Sequence, residues 1–402
     1  MPSRQSSFSP LPRIVACLFV FACANVAAKE PEELRQWRST DGKSVLGRLI
    51  TADDDKVTLD VKGKRYTLEI VRLSEADRAY VDTWTEKNPY RAGGATALAD
   101  LPPWPQKYDG TGKVTVETVN EDEVVSTFAY CTEHYLFALD RKIPKRNLDE
   151  IAAVFESVSG ALSAMPIERL HPAFGNERRF PTIFFSQKKD YERAGGPSGS
   201  VGVFDMRRQA ILIRLDVLLT NENHGSNLPH RERYQVLVHE LTHQAMYPAI
   251  VRMPIWYIEG VAEYMSAAHF ATARFDFRNL ARHIRKHIHR FVPADDNGAF
   301  TLPSIPSVYA MTSKEWNKDN VRSDRDATKK YATSLLLTHW FHHLHGDGKA
   351  QEIDAFLKGL AKRQKENEIA LKTILADGET LAGIQQKIAN YWSSQGLKLR
   401  FE

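Results

Sequence analysis

The residues of this 402-residue chain that could do chemistry together lie in Val236-Leu-Val-His239-Glu240-Leu-Thr-His243-Gln244, a His-Glu-x-x-His sequence. Composition alone would give this pattern about 0.03 times in such a chain, so its presence is informative. His239 and His243 are spaced one helical turn apart, about 6 Å along a helix axis, so both imidazoles can face one ion. A catalytic zinc takes three protein ligands and keeps one position for water, which leaves two histidines incomplete. The third ligand is expected in Pro254-Ile-Trp-Tyr-Ile-Glu259-Gly260-Val-Ala-Glu263-Tyr264. There Glu259 serves as carboxylate ligand, and Glu263, one turn on, accepts the N–H of a ligand histidine.

Positioning these groups requires particular elements. Tyr234, Leu237, Val238, Leu241 and Ala245 recur at helical spacing and predict a helix with one buried stripe. Pro248 stops that helix and Pro254 suits the first turn of the next, which the intervening turn folds back on the first. Upstream, Val201-Gly-Val-Phe204 and Gln209-Ala-Ile-Leu-Ile-Arg-Leu215 read as strands. Downstream, Lys330-Tyr331-Ala-Thr-Ser-Leu-Leu-Leu-Thr-His-Trp-Phe341 opens an apolar helix, and Gln351 to Gln395, rich in Leu, Ala, Lys and Glu, extends a helical C-terminal half.

The N-terminal third is organised differently. Residues 1–28 carry Arg4 and Arg13, no acidic residue, an apolar run from Ile14 to Ala24, and small residues at Val26-Ala27-Ala28. This is the pattern of a secretory signal peptide cleaved after Ala28. The apolar run is shorter than the ~20 residues that span a bilayer, which disfavours a retained anchor. Val20-Phe21-Ala22-Cys23 is a rival pattern, a lipoprotein box acylated at Cys23, into which Phe21 fits poorly. Residues 29–87 alternate with period two, as in Val57-Thr-Leu-Asp-Val61, between Asp-Gly and Gly-Lys turns, and predict a small β-barrel closed by a short helix capped by Ser74. The density of Pro and Gly over residues 88–112 marks a linker. The catalytic region is then residues 113–402.

Two resemblances add to these readings. Trp37-Arg-Ser-Thr-Asp-Gly-Lys43, Lys56-Val-Thr-Leu59 and Leu73-Ser-Glu-Ala-Asp-Arg-Ala-Tyr-Val81 resemble the SH3-like Sla-homology domain, which implies a spacing module or one with a peptide or protein ligand. The His-Glu-x-x-His unit with Trp256-Tyr-Ile-Glu259-Gly260-Val-Ala262 resembles the gluzincin, or peptidase MA-like, zinc metallopeptidases, strongly over residues 233–265 and weakly over 113–402. The gap from His243 to Glu259 is shorter than in the aminopeptidase branch, and no Gly-Ala-Met-Glu-Asn motif appears upstream, so aminopeptidase specificity is not implied. What the resemblance implies is Zn2+ on His239, His243 and Glu259, with Glu240 as general base toward water and leaving amine. By position it also implies Tyr331 as oxyanion donor, with Tyr309 as second choice, and an edge strand near residues 201–215 that pairs with an extended substrate. Gly199 and Gly202 would permit close approach there.

The expectation is an exported α+β protein: an SH3-like β domain followed by a metallopeptidase-like domain with an α/β half and a mostly helical half, acting on a peptide or protein substrate. Two alternatives stay open, an exported binding or adaptor protein with an inactive peptidase fold and a zinc amidase with a non-peptide substrate. Lys+Arg 54 against Asp+Glu 50 leaves +4, too weak a balance for a dedicated nucleic-acid binder. No transmembrane span is expected in the mature chain. Of Cys17, Cys23 and Cys131, only Cys131 survives cleavage, as a small hydrophobe. The basic run Arg282 to Arg290 reads as a solvated helix face, and His339, His342, His343 and His345 scatter around a helix as a packed segment.

Overall fold

The structure, a computed structural model, describes residues 34–52, 56–62, 64–87, 103–112, 114–172, 179–205, 207–219, 230–247, 249–320, 324–346, 350–361, 374–375 and 378–402. Residues 1–28, expected above to be a signal peptide, residues 88–102 of the expected linker, and Pro248 lie outside the described residues.

Period-two alternation produces β1 (Arg35–Arg38), β2 (Ser44–Ala52), β3 (Lys56–Val61) and β4 (Lys64–Glu69), an antiparallel sheet in the order β1-β2-β3-β4. Its inward side chains, Trp37, Leu49, Val57 and Leu59, form a small core with Leu73 and with Val81 of α1 (Glu75–Lys87). Ser74 caps α1 by accepting from the Asp77 amide at 3.3 Å. Asp77 accepts in turn from Arg38 N–H at 2.7 Å, from the Ser74 hydroxyl at 2.8 Å and from Arg35 at 2.9 Å, tying helix to first strand. Among the described residues β4 does not pair with β1, but the chain after β4 returns to the end of β1, where Ser39 bridges Leu73, the Thr40 amide donates to the Arg72 carbonyl at 2.9 Å and the Ser74 amide to the Arg38 carbonyl at 2.8 Å.

The second sheet has six strands in the order β10-β11-β9-β8-β7-β6, from β6 (Glu117–Asp122), β7 (Thr127–Cys131), β8 (Tyr135–Leu139), β9 (Phe180–Phe185), β10 (Gly202–Asp205) and β11 (Ala210–Arg214). β8, β9 and β11 run parallel, and the outer strands are antiparallel to their neighbours. The central strands are almost wholly apolar because both faces are covered. Phe137, Phe184, Ile211 and Ile213 join the main core with α2 (Lys145–Ser163), whereas Ile183, Phe185 and Leu212 pack against Tyr191 of α3 (Lys188–Arg193). Cys131 is buried, and burial pushes its thiol pKa up, as suits a packing residue. β10 is the outermost strand on the side that matters for the site.

Beyond α4 (Leu215–Leu218) the chain is mostly helical: α5 (His230–Ala245), α6 (Ile255–Ala268), α7 (Leu280–Phe291), α8 (Ile305–Ala310), α9 (Ser313–Asn320), α10 (Asp324–His343), α11 (Gln351–Ala361) and α12 (Leu381–Ser394). Short strands intervene. β13 (Arg274–Asp276) pairs with both β12 (His269–Ala271) and β5 (Lys107–Asp109), and β14 (Ala299–Leu302) pairs with β15 (Lys398–Phe401). The architecture is thus α+β, a mixed sheet leading into a helix-rich C-terminal region. No helix among the described residues is long and apolar enough to cross a membrane.

α6 is the hub of the helical region. Trp256, Tyr257, Val261, Tyr264 and Met265 are buried, so apolar residues surround the helix except where Glu259 and Glu263 emerge. It lies so close to α10 that a Cβ on Gly260 would come 2.1 Å from Thr338 Oγ1 and 2.6 Å from the Ser334 carbonyl oxygen. Hydrogen bonds at 3.0 Å between Tyr257 and His342, and at 2.8 Å between Tyr264 and His343, join the same two helices. Burial drives His339 and His342 well below the usual imidazole pKa and His343 to about 4, so these histidines pack as neutral rings.

Candidate metal centre

The stripe expected of α5 is buried: Tyr234, Leu237, Val238, Leu241 and Ala245 are all in the main core. Gln244 donates to the Pro181 carbonyl at 3.0 Å, and Gln209 donates to the Tyr247 hydroxyl at 2.9 Å, fastening the end of α5 to the sheet. Pro254 stands immediately before α6 as its N-cap, with ψ 146°, and turns the chain into that helix. α5 and α6 thereby present His239, His243 and Glu259 to one point.

The geometry there is specific. The two Nε2 atoms face each other at 3.1 Å, and Glu259 Oε2 lies 3.3 Å from each. Four ligands at zinc–nitrogen distances of about 2.0–2.1 Å would be separated by about 3.3–3.4 Å along each edge of the tetrahedron. Three such corners are in place. Among the described residues Glu259 Oε2 is buried with no hydrogen-bond partner, which is costly for a carboxylate oxygen unless a cation meets it. The three residues form a cluster able to hold a metal ion.

Electrostatics agree with a cation-seeking pocket. Burial opposes charge on Glu259, but the His243 charge and the contacts of both imidazoles outweigh it and bring its carboxyl to about 2. Burial likewise opposes charge on His239, yet contacts with Glu259 and Glu263 raise it well above the usual imidazole value. Glu263 Oε1 is 3.0 Å from His239 Nδ1. An ionised carboxylate only accepts, so Nδ1 carries a proton in either charge state, and the neutral ring, the form that can meet a cation, turns its Nε2 lone pair to the centre. The Nδ1 of His243 is buried with no partner among the described residues.

Glu240 sits beside this cluster, outside the ligand set. Its Oε2 accepts from the Phe204 amide at 2.8 Å. The Arg214 amide donates to the Val201 carbonyl across the β10–β11 ladder, so the N–H of Phe204, three residues on, turns outward to the open edge. Burial pushes the Glu240 carboxyl above its usual range, against the pull of His239 and His243. Gly202 faces the same carboxylate, and a Cβ there would meet Glu240 Cγ at 3.7 Å. Gly199 is required for another reason, a φ of +91° in the turn before β10.

Tyr331, early in α10, places its ring edge-on to His239, with ring centroids 6.0 Å apart, and to Trp316 at 5.1 Å. Tyr309 instead packs against Trp256 at 5.7 Å, and burial raises its hydroxyl pKa to about 12. Of the two tyrosines, Tyr331 is the one in ring contact with a ligand histidine.

Two groups at the centre escaped sequence reasoning. One is the Phe204 amide, a backbone donor that no side-chain pattern reveals. The other is His287 on α7, whose Nε2 lies 2.5 Å from Glu263 Oε2. The basic run that contains it reads as a solvated face, but His287 falls in the stripe of Leu280, Ile284 and Ile288 and is 8% exposed. A histidine in an apolar stripe was the available signal. Burial opposes ionisation of Glu263, but the His287 charge and hydrogen bonds from both histidines hold its carboxyl far below the usual range.

No protein-family model matches this chain, and no curated protein matches it in sequence.

Proposed function

We propose that this protein is an exported zinc-dependent metallopeptidase of gluzincin type. The observation that carries the reading is the triangle of His239 Nε2, His243 Nε2 and Glu259 Oε2, with edges of 3.1, 3.3 and 3.3 Å, close to those of a tetrahedral zinc site. His239, His243 and Glu259 hold the ion. Zinc, when bound, supplies a Lewis acid that acidifies water and polarises a carbonyl. Glu240 takes the proton from the attacking water and delivers it to the leaving amine, a role served by a carboxyl whose pKa burial has raised. Its Oε2 is steadied by the Phe204 amide, so the proton is assigned to Oε1. Tyr331 donates to the oxyanion, supported by its ring contact with His239. The extended substrate lies along the open edge of β10, whose outward Phe204 amide donates to Glu240.

The remaining parts follow the same reading. Residues 1–28 are the signal peptide, 29–87 an accessory SH3-like module, 88–112 a linker, and 113–402 the catalytic domain. The test is a Glu240→Gln variant of the mature, zinc-loaded chain assayed on a mixed peptide library. Cleavage by the wild type that falls by about 10²-fold or more in the variant, with zinc retained, is expected. A zinc-loaded wild type that cleaves no peptide would contradict peptidase activity.

A further inference from the structure

We propose that His287 is a positioning residue for the metal centre, acting through Glu263 on the ligand His239. The inference rests on the zinc reading above and extends it to a third helix. The path is continuous: His239 Nδ1 on α5 is 3.0 Å from Glu263 Oε1 on α6, and Glu263 Oε2 is 2.5 Å from His287 Nε2 on α7. Each carboxylate oxygen is thus met by a different imidazole. Because the carboxylate accepts from both rings, its plane is fixed at two ends, and its χ torsions cannot relax without breaking one of the bonds. Removing His287 would leave Glu263 Oε2 without that donor in a largely buried place, and the carboxylate would be drawn to rotate away from His239.

The placement of His287 is itself dictated by packing. Leu280, Ile284 and Ile288 drive the same face of α7 into the main core, and the neighbouring Phe291 ring lies 4.6 Å from the imidazole, centroid to centroid. Of the other bases in the run, Arg282, Lys286, His289 and Arg290 are exposed, while His283 is largely buried with its Nε2 3.7 Å from Asp276 Oδ2. His243, the other ligand histidine, has a buried Nδ1 with no partner among the described residues. Support from outside the ligand set is therefore concentrated on His239, and α7 supplies its far end.

The experiment measures zinc affinity by chelator competition, and the visible spectrum of the cobalt-substituted protein, on the full mature chain. His287→Leu keeps the apolar packing and removes the donor; His287→Gln keeps a donor. The leucine variant should bind zinc about tenfold more weakly and shift the cobalt bands, while the glutamine variant keeps most of the affinity and the wild-type spectrum. A double variant with Glu263→Ala should bind no more weakly than Glu263→Ala alone, because His287 acts through that carboxylate. Where the leucine variant does not fold, His287→Asn, too short to reach Glu263, carries the same expectation. Wild-type affinity and spectrum in the donor-less variants, or losses that add in the double variant, would overturn the role. A wild-type chain that takes up no zinc would overturn the zinc reading itself, a distinguishable result.

Discussion

One largely buried carboxylate, Glu263, decides which nitrogen of His239 is left for a cation, because its Oε1 accepts a hydrogen bond from Nδ1–H. Much of the site at this scale was legible in the sequence. His239, His243, Glu259 and Glu263 follow from four-residue spacings on two helices, since a spacing of one turn places side chains on one face whatever the rest of the fold. His287 and the Phe204 amide arrive from elements distant in the chain, and no local spacing encodes a meeting made by tertiary packing. Tyr331 lies between these cases. Its helix was legible, and the ring contact with His239 came with the packing of α10. Tyr331→Phe keeps that ring and removes the hydroxyl, so turnover on a cleaved peptide should fall by about 10²- to 10³-fold with zinc content unchanged. Unchanged turnover would remove Tyr331 from the mechanism.

Among the elements, α6 is held close against α10. Gly260 follows the candidate ligand Glu259 directly, and the space its side chain would need holds Thr338 and the Ser334 carbonyl. Gly260→Ala should force α6 away from α10, costing about 1–3 kcal/mol in chemical denaturation and weakening zinc binding through the displaced carboxylate. Unchanged stability and affinity would show that the close approach is dispensable. The sequence displayed the Glu-Gly pair but not the reason for it, which lies in the facing helix. The N-terminal sheet poses a different case, since its strands were legible from alternation while closure into a barrel depends on pairings between distant strands. Asp77 locks that sheet to α1. Burial opposes its ionisation, but the Arg38 amide, Ser74 and Arg35 outweigh it and lower its carboxyl pKa. A depressed carboxyl contributes stability above its ordinary value of about 3.9 and loses it as pH falls through the depressed one. The hydrogen-exchange protection of the Arg38 amide should therefore hold steady above pH of about 4 and decline below it. Asp77→Asn should lower the protection and flatten that decline, and an undiminished acid decline in the variant would assign it to another group.

Across the whole molecule, the centre forms where the mixed sheet meets the helix-rich region. The sheet contributes an open edge strand, α5 and α6 the candidate ligands, α10 a tyrosine and α7 the histidine behind Glu263. That two-part plan could be read from apolar runs upstream and helical periodicity downstream, because each half has its own period. Everything proposed for the chemistry depends on His239, His243 and Glu259 sharing one ion. The most direct measurement is zinc stoichiometry and affinity of the purified mature chain against Glu259→Ala. One zinc per wild-type chain and an affinity at least about 100-fold lower in the variant is the expected result. Equal zinc binding by both proteins, or none by the wild type, would contradict the shared site.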